Sequence, residues 1–535
     1  MTEHGADLLI RAGAVHTLVP GAAPRRAVAV RGDRVVALSA DPGGLDAWVT
    51  ARTKVLDVPD SAVLPSFDDT HTHLIFAGHS AHDVPVQQAR DLGEFLELIR
   101  RRAASTPEGQ WIRTTANWQE LNLAERRMPT AAELDQATGR HPVLVKRGGH
   151  NDVLNTYALR LAGITEDTPA PPGGVIGRDA DGRLTGRLID SAIGLVERHF
   201  PAPDRATQVD GLRLAGDQYA ATGIGTVRDC LVSLDDYAAL QAARNAGVLN
   251  VRVRALISGF GVTDFDELLD ALEDRRYEAD PWLRVWGVKL GLDGGLEAGA
   301  TEEPYACDHT FSGTLLWEPD ALTEAVEAVV RRGWRVGTHA YGDRAVRVLL
   351  DVYERVLERN PGLPANSLVM EHAGLAGPEQ RARAVALGIP VTIQQPLQHD
   401  TAEVEQEFWG TERVAAMFPA RGWLDQGALI AAGSDFPVGQ FGAMRSVWGM
   451  TTRETVVGVR GPEQAISYDE AVALHTTQAA RLVGEEQLRG MLTPGRLADL
   501  TIWDRDPATC SSDVLRDLNP TYTIIGGRVV HGERD

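Results

Sequence analysis

The chain has 535 residues, beyond the ~250–300 that one hydrophobic core usually supports, so a large domain with a smaller companion, or two to three domains, is expected. With 43% hydrophobic and 24% charged residues it reads as globular, and 53 Lys and Arg against 74 Asp and Glu give a net charge of −21, which argues against nucleic acid or an anionic membrane surface as partners. Cys230, Cys307 and Cys510 are scattered and odd in number, so neither a disulfide framework nor a Cys-rich zinc site is expected, and a reducing cytoplasm fits.

The opening "MTEHGADLLIRAG" lacks a basic segment leading into an apolar core, and no apolar run approaches ~18 residues, so no export or membrane signal is expected. From Asp7 to about Val63, short β-branched runs punctuated by Gly, Pro and Asp carry the signature of an antiparallel sheet. The last stretch, "MLTPGRLADLTIWDRDP" and "TYTIIGGRVVHGERD", has the same texture. Residues 1–64 and 486–535 are therefore expected to form one composite β-sandwich domain, with the body of the chain, 65–485, inserted between them. In that body a strand ending in "FDDTHTHLIFAG" is followed, after a long gap, by seven more strand-like runs. These are "GIGTVRDC", "VRVRALIS", "LRVWGVKLGLDGG", "WRVGTHAYGD", "SLVMEHAG", "IPVTIQQP" and "GALIAAGSDFP", separated by amphipathic helical runs such as "PDALTEAVEAVVRRG". Eight strands alternating with helices predict an α/β fold, a (β/α)8 TIM barrel. The long gap holds an insertion, roughly 85–220, expected to lie over the barrel mouth as a lid.

In such a barrel the active-site groups come from the C-terminal ends of the strands. His71 and His73, at i and i+2 of a strand, project to one side, and two neutral imidazoles converging on one point are a natural metal grip. Lys289 lies in the fourth strand, His339 ends the fifth, His372 the sixth and Asp435 the eighth, each after an apolar run. A lone charge buried there is costly, and a shared metal ion removes that cost for all six.

The set "HTH", "VKLGLDGG", "THAYGD", "MEHAG" and "GSDFP" resembles the metal-dependent amidohydrolase superfamily, specifically amidohydrolase family 3, the branch that includes N-substituted formamide deformylase. The likeness spans essentially the whole chain, including "HPVLVKRGGHNDVLNTYAL", which places His150 near the pocket. Two departures bear on the substrate: Gly148 stands where family members often carry Asp, and the loop "DGGLEAGATEEPY" brings Glu297, Glu302 and Glu303.

The resemblance implies hydrolysis of a C–N bond in an amide, formamide or related N-acyl group, with a divalent metal as cofactor, one or two ions per chain and zinc as the default. His71 and His73 would hold one ion and His339 and His372 a second. Lys289, carboxylated by CO2, would bridge them as a carbamate, and Asp435 would act as general base and acid. Tyr305, Tyr341, Trp118, Gln395 and Phe436 join His150 as candidate substrate-binding residues; Asp343 and Arg344 either orient His339 or begin the next helix. The expected partner is a small amide-type substrate, with a homodimer as the default assembly. Two rivals remain. A mononuclear aminohydrolase is disfavoured because Gly342 stands where those enzymes place a proton-donating Glu, and a non-catalytic scaffold would lose ligands that are all present.

Overall fold

The computed structural model describes residues 5–148, 151–171, 174–197, 199–200, 203–275 and 280–533, which divide into two compact units. The first unit comprises residues up to Ile75, Arg213–Asp435 and Phe441 onward. Its centre is an eight-stranded parallel sheet: β1 (Phe67–Thr72), β2 (Ile224–Val232), β3 (Arg252–Ser258), β4 (Leu283–Gly291), β5 (Arg335–Ala340), β6 (Leu368–His372), β7 (Val391–Ile393) and β8 (Ile430–Ala432). Neighbours in sequence are neighbours in space, and the ring is brought round by Thr70 Oγ1 donating to Ala432 O (2.8 Å) and Asp435 N–H donating to His71 O (2.8 Å). This is the expected (β/α)8 barrel. The strands are buried at nearly every position, as expected of parallel strands covered on both sides.

The helices between them form where the sequence supplies both ends and an inner face. Pro319–Arg331 opens with Pro at its first position and Asp320 in its first turn, where the positive end of the helix dipole lies. It closes with Arg331, and buries Leu322, Val326, Val329 and Val330.

Strands from both termini hydrogen-bond in one order of seven: Arg528–His531, Tyr522–Ile525, Leu500–Trp503, Lys54–Pro65, Leu8–Val15, Arg25–Arg31 and Arg34–Ser39. The order folds back on itself, since Val35 N–H donates to Arg496 O and Ala498 N–H to Asp33 O, so that Leu8, Ile10, Val28, Val63, Leu500, Ile502 and Ile524 share one core. The antiparallel expectation needs one correction: Leu8–Val15 runs parallel to Lys54–Pro65. The Arg25–Ser39 hairpin lies on the other side of Leu8–Val15, and the segment after Ser39 carries the chain back to the end where Leu8 begins, so the later strand enters in the same direction. A buried ion pair, Arg252 with Asp499 (2.7 Å), fastens this sheet to the barrel, and Arg489, on the segment leading into the sheet, pairs with Asp68 of β1 and with Glu485.

The second unit comprises Phe76–Leu212 with Phe436–Gln440. Five strands in the order Ile112–Arg113, Val143–Arg147, Asn151–Leu154, Leu184–Asp190 and Gly174–Arg178 form its sheet, and Phe95, Ile99, Trp118, Leu134, Val145 and Val153 share a core.

Candidate metal centre

The strand ends of the barrel bring His71, His73, Lys289, His339, His372 and Asp435 into one cluster. Ring centroids run His73 to His71 at 5.7 Å, His71 to His372 at 4.4 Å and His372 to His339 at 4.4 Å. Lys289 Nζ lies 3.4 Å from His71 Nε2, and Asp435 Oδ1 lies 2.9 Å from His73 Nε2 and 3.6 Å from His71 Nε2. Two of these groups are reached only by strained backbone: His372 has φ +72° and Asp435 φ +58°, left-handed values that non-glycine residues seldom adopt. The turn at His372 has a clear effect. Alternation along β6 would send Glu371 and His372 to opposite sides, whereas both meet the cluster.

Asp435 is placed by the closure of the barrel. Asp69 accepts from the Ser434 N–H (2.9 Å) and hydroxyl (2.5 Å), which ties the segment after β8 to β1. Gly433 makes the approach close, since a Cβ there would stand 2.5 Å from His71 N and 2.9 Å from His71 Cβ and O. Gly433→Ala is therefore expected to cost about 1–3 kcal/mol by overpacking. Thermal unfolding and metal content, measured together, should both fall; an unchanged melting temperature with unchanged metal content would contradict this account of β1 and β8.

The nitrogens are presented by hydrogen bonds of known direction. Glu371, fully buried, accepts from His71 Nδ1 (2.7 Å), Arg228 Nη2 (2.6 Å) and Thr392 Oγ1 (2.6 Å). Burial alone would push its carboxyl up, but Arg228 and His71 outweigh it and hold the group ionised, well below the usual carboxylate range. His71 thus carries its hydrogen on Nδ1 and turns the Nε2 lone pair toward Lys289. His372 Nδ1 is bound by Gln394 Oε1 (2.7 Å), which again leaves Nε2. His339 differs: Nε2 donates to Gly294 O (3.2 Å), an atom that can only accept, so Nδ1 is its free nitrogen.

Burial, then the Lys289 charge, lowers His71 to about 4 and His339 to about 3; burial and the neighbouring His339 ring hold His372 well below its ordinary value. Burial raises Asp435, but the hydrogen bond from His73 and the nearby Lys289 leave it net lowered and ionised. Neutral imidazoles at His71, His339 and His372 beside an ionised carboxylate are what a divalent cation requires of its ligands. His71, His73 and Asp435 each offer a ligand atom within 4.8 Å of the others, so the donor set fits a metal.

Other sequence candidates find different places. Tyr341 lies against His339 and His372 at centroid distances of 6.1 and 5.5 Å, its hydroxyl donating to Glu405 Oε1 (3.1 Å). Tyr305 is occupied in packing, donating to Gly299 O (2.8 Å) and edging onto Phe311, Phe408 and Trp409. Trp118 belongs to the core of the second unit, against Phe95, with its indole N–H on Lys146 O. Phe436 is counted in that unit, and His150 lies outside the described residues. Gln395 begins the helix Gln395–Trp409 and presses on Gly449, where a Cβ would overlap its amide; its neighbour Gln394 is the one that meets a histidine.

Asp343 begins a helix rather than holding His339, its carboxylate accepting from the Glu302 and Arg344 N–H groups. The acid beside His339 is Asp293, 3.4 Å from Nε2; it accepts from the N–H groups of Ala300, Tyr341 and Gly342 and is pushed by burial up to about 7. Of the acidic loop, Glu302 pairs with Arg347.

A family model described as the amidohydrolase family matches residues 54–531. The chain belongs to the amidohydrolase family. At the level of class this makes it a metal-dependent hydrolase of amide-type C–N bonds. Two curated relatives match nearly end to end. One is an N-substituted formamide deformylase from Arthrobacter pascens, 29% identical over 534 residues with 97% of each chain covered. The other is Protein LONG AFTER FAR-RED 3 from Arabidopsis thaliana, 28% identical, with 98% of this amidohydrolase and 92% of the relative covered. Among solved structures, an uncharacterized metal-dependent hydrolase from Pyrococcus horikoshii shares the fold at a TM-score of 0.76 and 23% identity, covering 95% of this chain and 99% of that one.

Proposed function

We propose that this amidohydrolase binds two divalent ions and hydrolyses a linear amide, formamide or related N-acyl bond. The observation that carries the reading is Lys289. It is 3% exposed at the end of an apolar strand, and its Nζ faces His71 Nε2 across 3.4 Å. As a carbamate it would become the anionic ligand between two histidine pairs, His71 with His73 and His339 with His372. When bound, the ions supply Lewis acidity for the scissile carbonyl and acidity for the attacking water. Asp435, ionised and hydrogen-bonded to His73, takes the water proton and returns it to the leaving nitrogen. The His71 and His372 side chains are held rigidly from below, so little reorganisation remains for the reaction itself.

Metal analysis of purified protein and of Lys289→Ala tests the site. The wild type should carry two ions per chain and the variant one or none; one ion in both would instead support a mononuclear enzyme. A panel of N-formyl, N-acyl and cyclic amides, with product amine measured, tests the bond, and turnover confined to cyclic amides or to ring amino groups would overturn the linear assignment.

A further inference from the structure

Beneath the cluster, an unbroken line of hydrogen bonds joins His71 to His372. Glu371 Oε2 accepts from His71 Nδ1 (2.7 Å) and from Thr392 Oγ1 (2.6 Å); Thr392 Oγ1 in turn accepts from Gln394 Nε2 (3.0 Å), and Gln394 Oε1 accepts from His372 Nδ1 (2.7 Å). Every direction is forced. Glu371 is an anion beside Arg228 and can only accept, so the Thr392 hydroxyl spends its one hydrogen on it. The same hydroxyl oxygen then has only a lone pair to offer Gln394, which fixes the amide with its NH2 toward Thr392 and its carbonyl toward His372. That carbonyl demands a hydrogen on His372 Nδ1 and leaves Nε2 bare. All five residues are at most 2% exposed, so no water competes for these contacts.

We infer that Thr392 and Gln394 are positioning residues through which the single charge of Glu371 sets the coordinating nitrogen of His372 as well as of His71. The inference rests on the proposed role of both histidines as metal ligands. Without the Thr392 oxygen, Gln394 loses the contact that orients its amide. The amide can then turn over and offer N–H to His372 Nδ1, which favours hydrogen on Nε2 and blocks that nitrogen as a ligand.

The test uses full-length metal-free protein with 15N-labelled histidine, as wild type, Thr392→Ser and Thr392→Val. Ring-nitrogen spectra report the tautomer, the His372 signals being those lost in His372→Gln. Zinc titration against a chelating indicator reports the affinities. The wild type and Thr392→Ser should show hydrogen on His372 Nδ1 and two zinc affinities. Thr392→Val, which keeps the shape in a buried strand, should lose that tautomer and weaken one zinc position by about 10- to 100-fold, leaving the other within a few-fold. A Val variant that retains both the tautomer and both affinities overturns the inference, as does an equal loss in Val and Ser. If the wild type takes up no zinc, the metal reading fails, while the tautomer comparison still decides the relay.

Discussion

Asp435→Asn is expected to lower kcat by about 10²- to 10⁴-fold while the protein still folds. Asparagine keeps the shape of the side chain, can still accept from His73, and is among the few residues that tolerate a backbone at φ +58°, so the strain at this position is undisturbed. What disappears is the ability to hold the proton taken from water until the nitrogen leaves. Asp435→Ala would mix that loss with a strained backbone, which is why the amide is the informative choice. Turnover of whichever amide the panel identifies, measured beside a thermal melt, separates the two. A kcat within tenfold of wild type would remove Asp435 from the proton path.

The second large effect concerns Glu371→Gln. The substitution leaves the Arg228 guanidinium charged and fully buried with no anion, and breaking such a pair costs about 3–5 kcal/mol. A marked fall in melting temperature is the expected result. Neutralising both partners, as in Arg228→Met with Glu371→Gln, should recover most of that stability, since a buried pair replaced as a unit is often close to neutral. Metal affinity should not recover, because the anion that holds hydrogen on His71 Nδ1 is still missing; a deficit of about 10- to 100-fold is expected. If the double variant regains wild-type metal binding, Glu371 serves the fold alone.

Much of this site was legible from the chain. His71 and His73 were readable from strand spacing, and Lys289, His339, His372 and Asp435 from their position at the ends of apolar runs. Glu371 and Arg228 also carry a signal in the sequence: a charge inside "LVMEH" and another inside "GIGTVRDC" are both in runs that should be buried. Opposite charges in two central strands imply a buried pair, but which strand ends face each other depends on the order of strands around the ring. Gln394 and Gln395 are indistinguishable in the sequence for a related reason. Whether the strand yields to the helix at one residue or the next decides which glutamine meets His372, and only the helix start at Gln395 settles it.

The sequence by itself determined the barrel, its strand count and the six residues that cluster at its strand ends, because these follow from local periodicity and from the chemistry of single side chains. The tertiary structure decided which nitrogen each histidine offers, why Gly433 must be small, and that Asp293 rather than Asp343 lies beside His339. Those features depend on pairs such as His71 with Glu371, 300 positions apart, whose meeting is fixed by ring closure and by two left-handed residues that break the alternation a strand would otherwise impose.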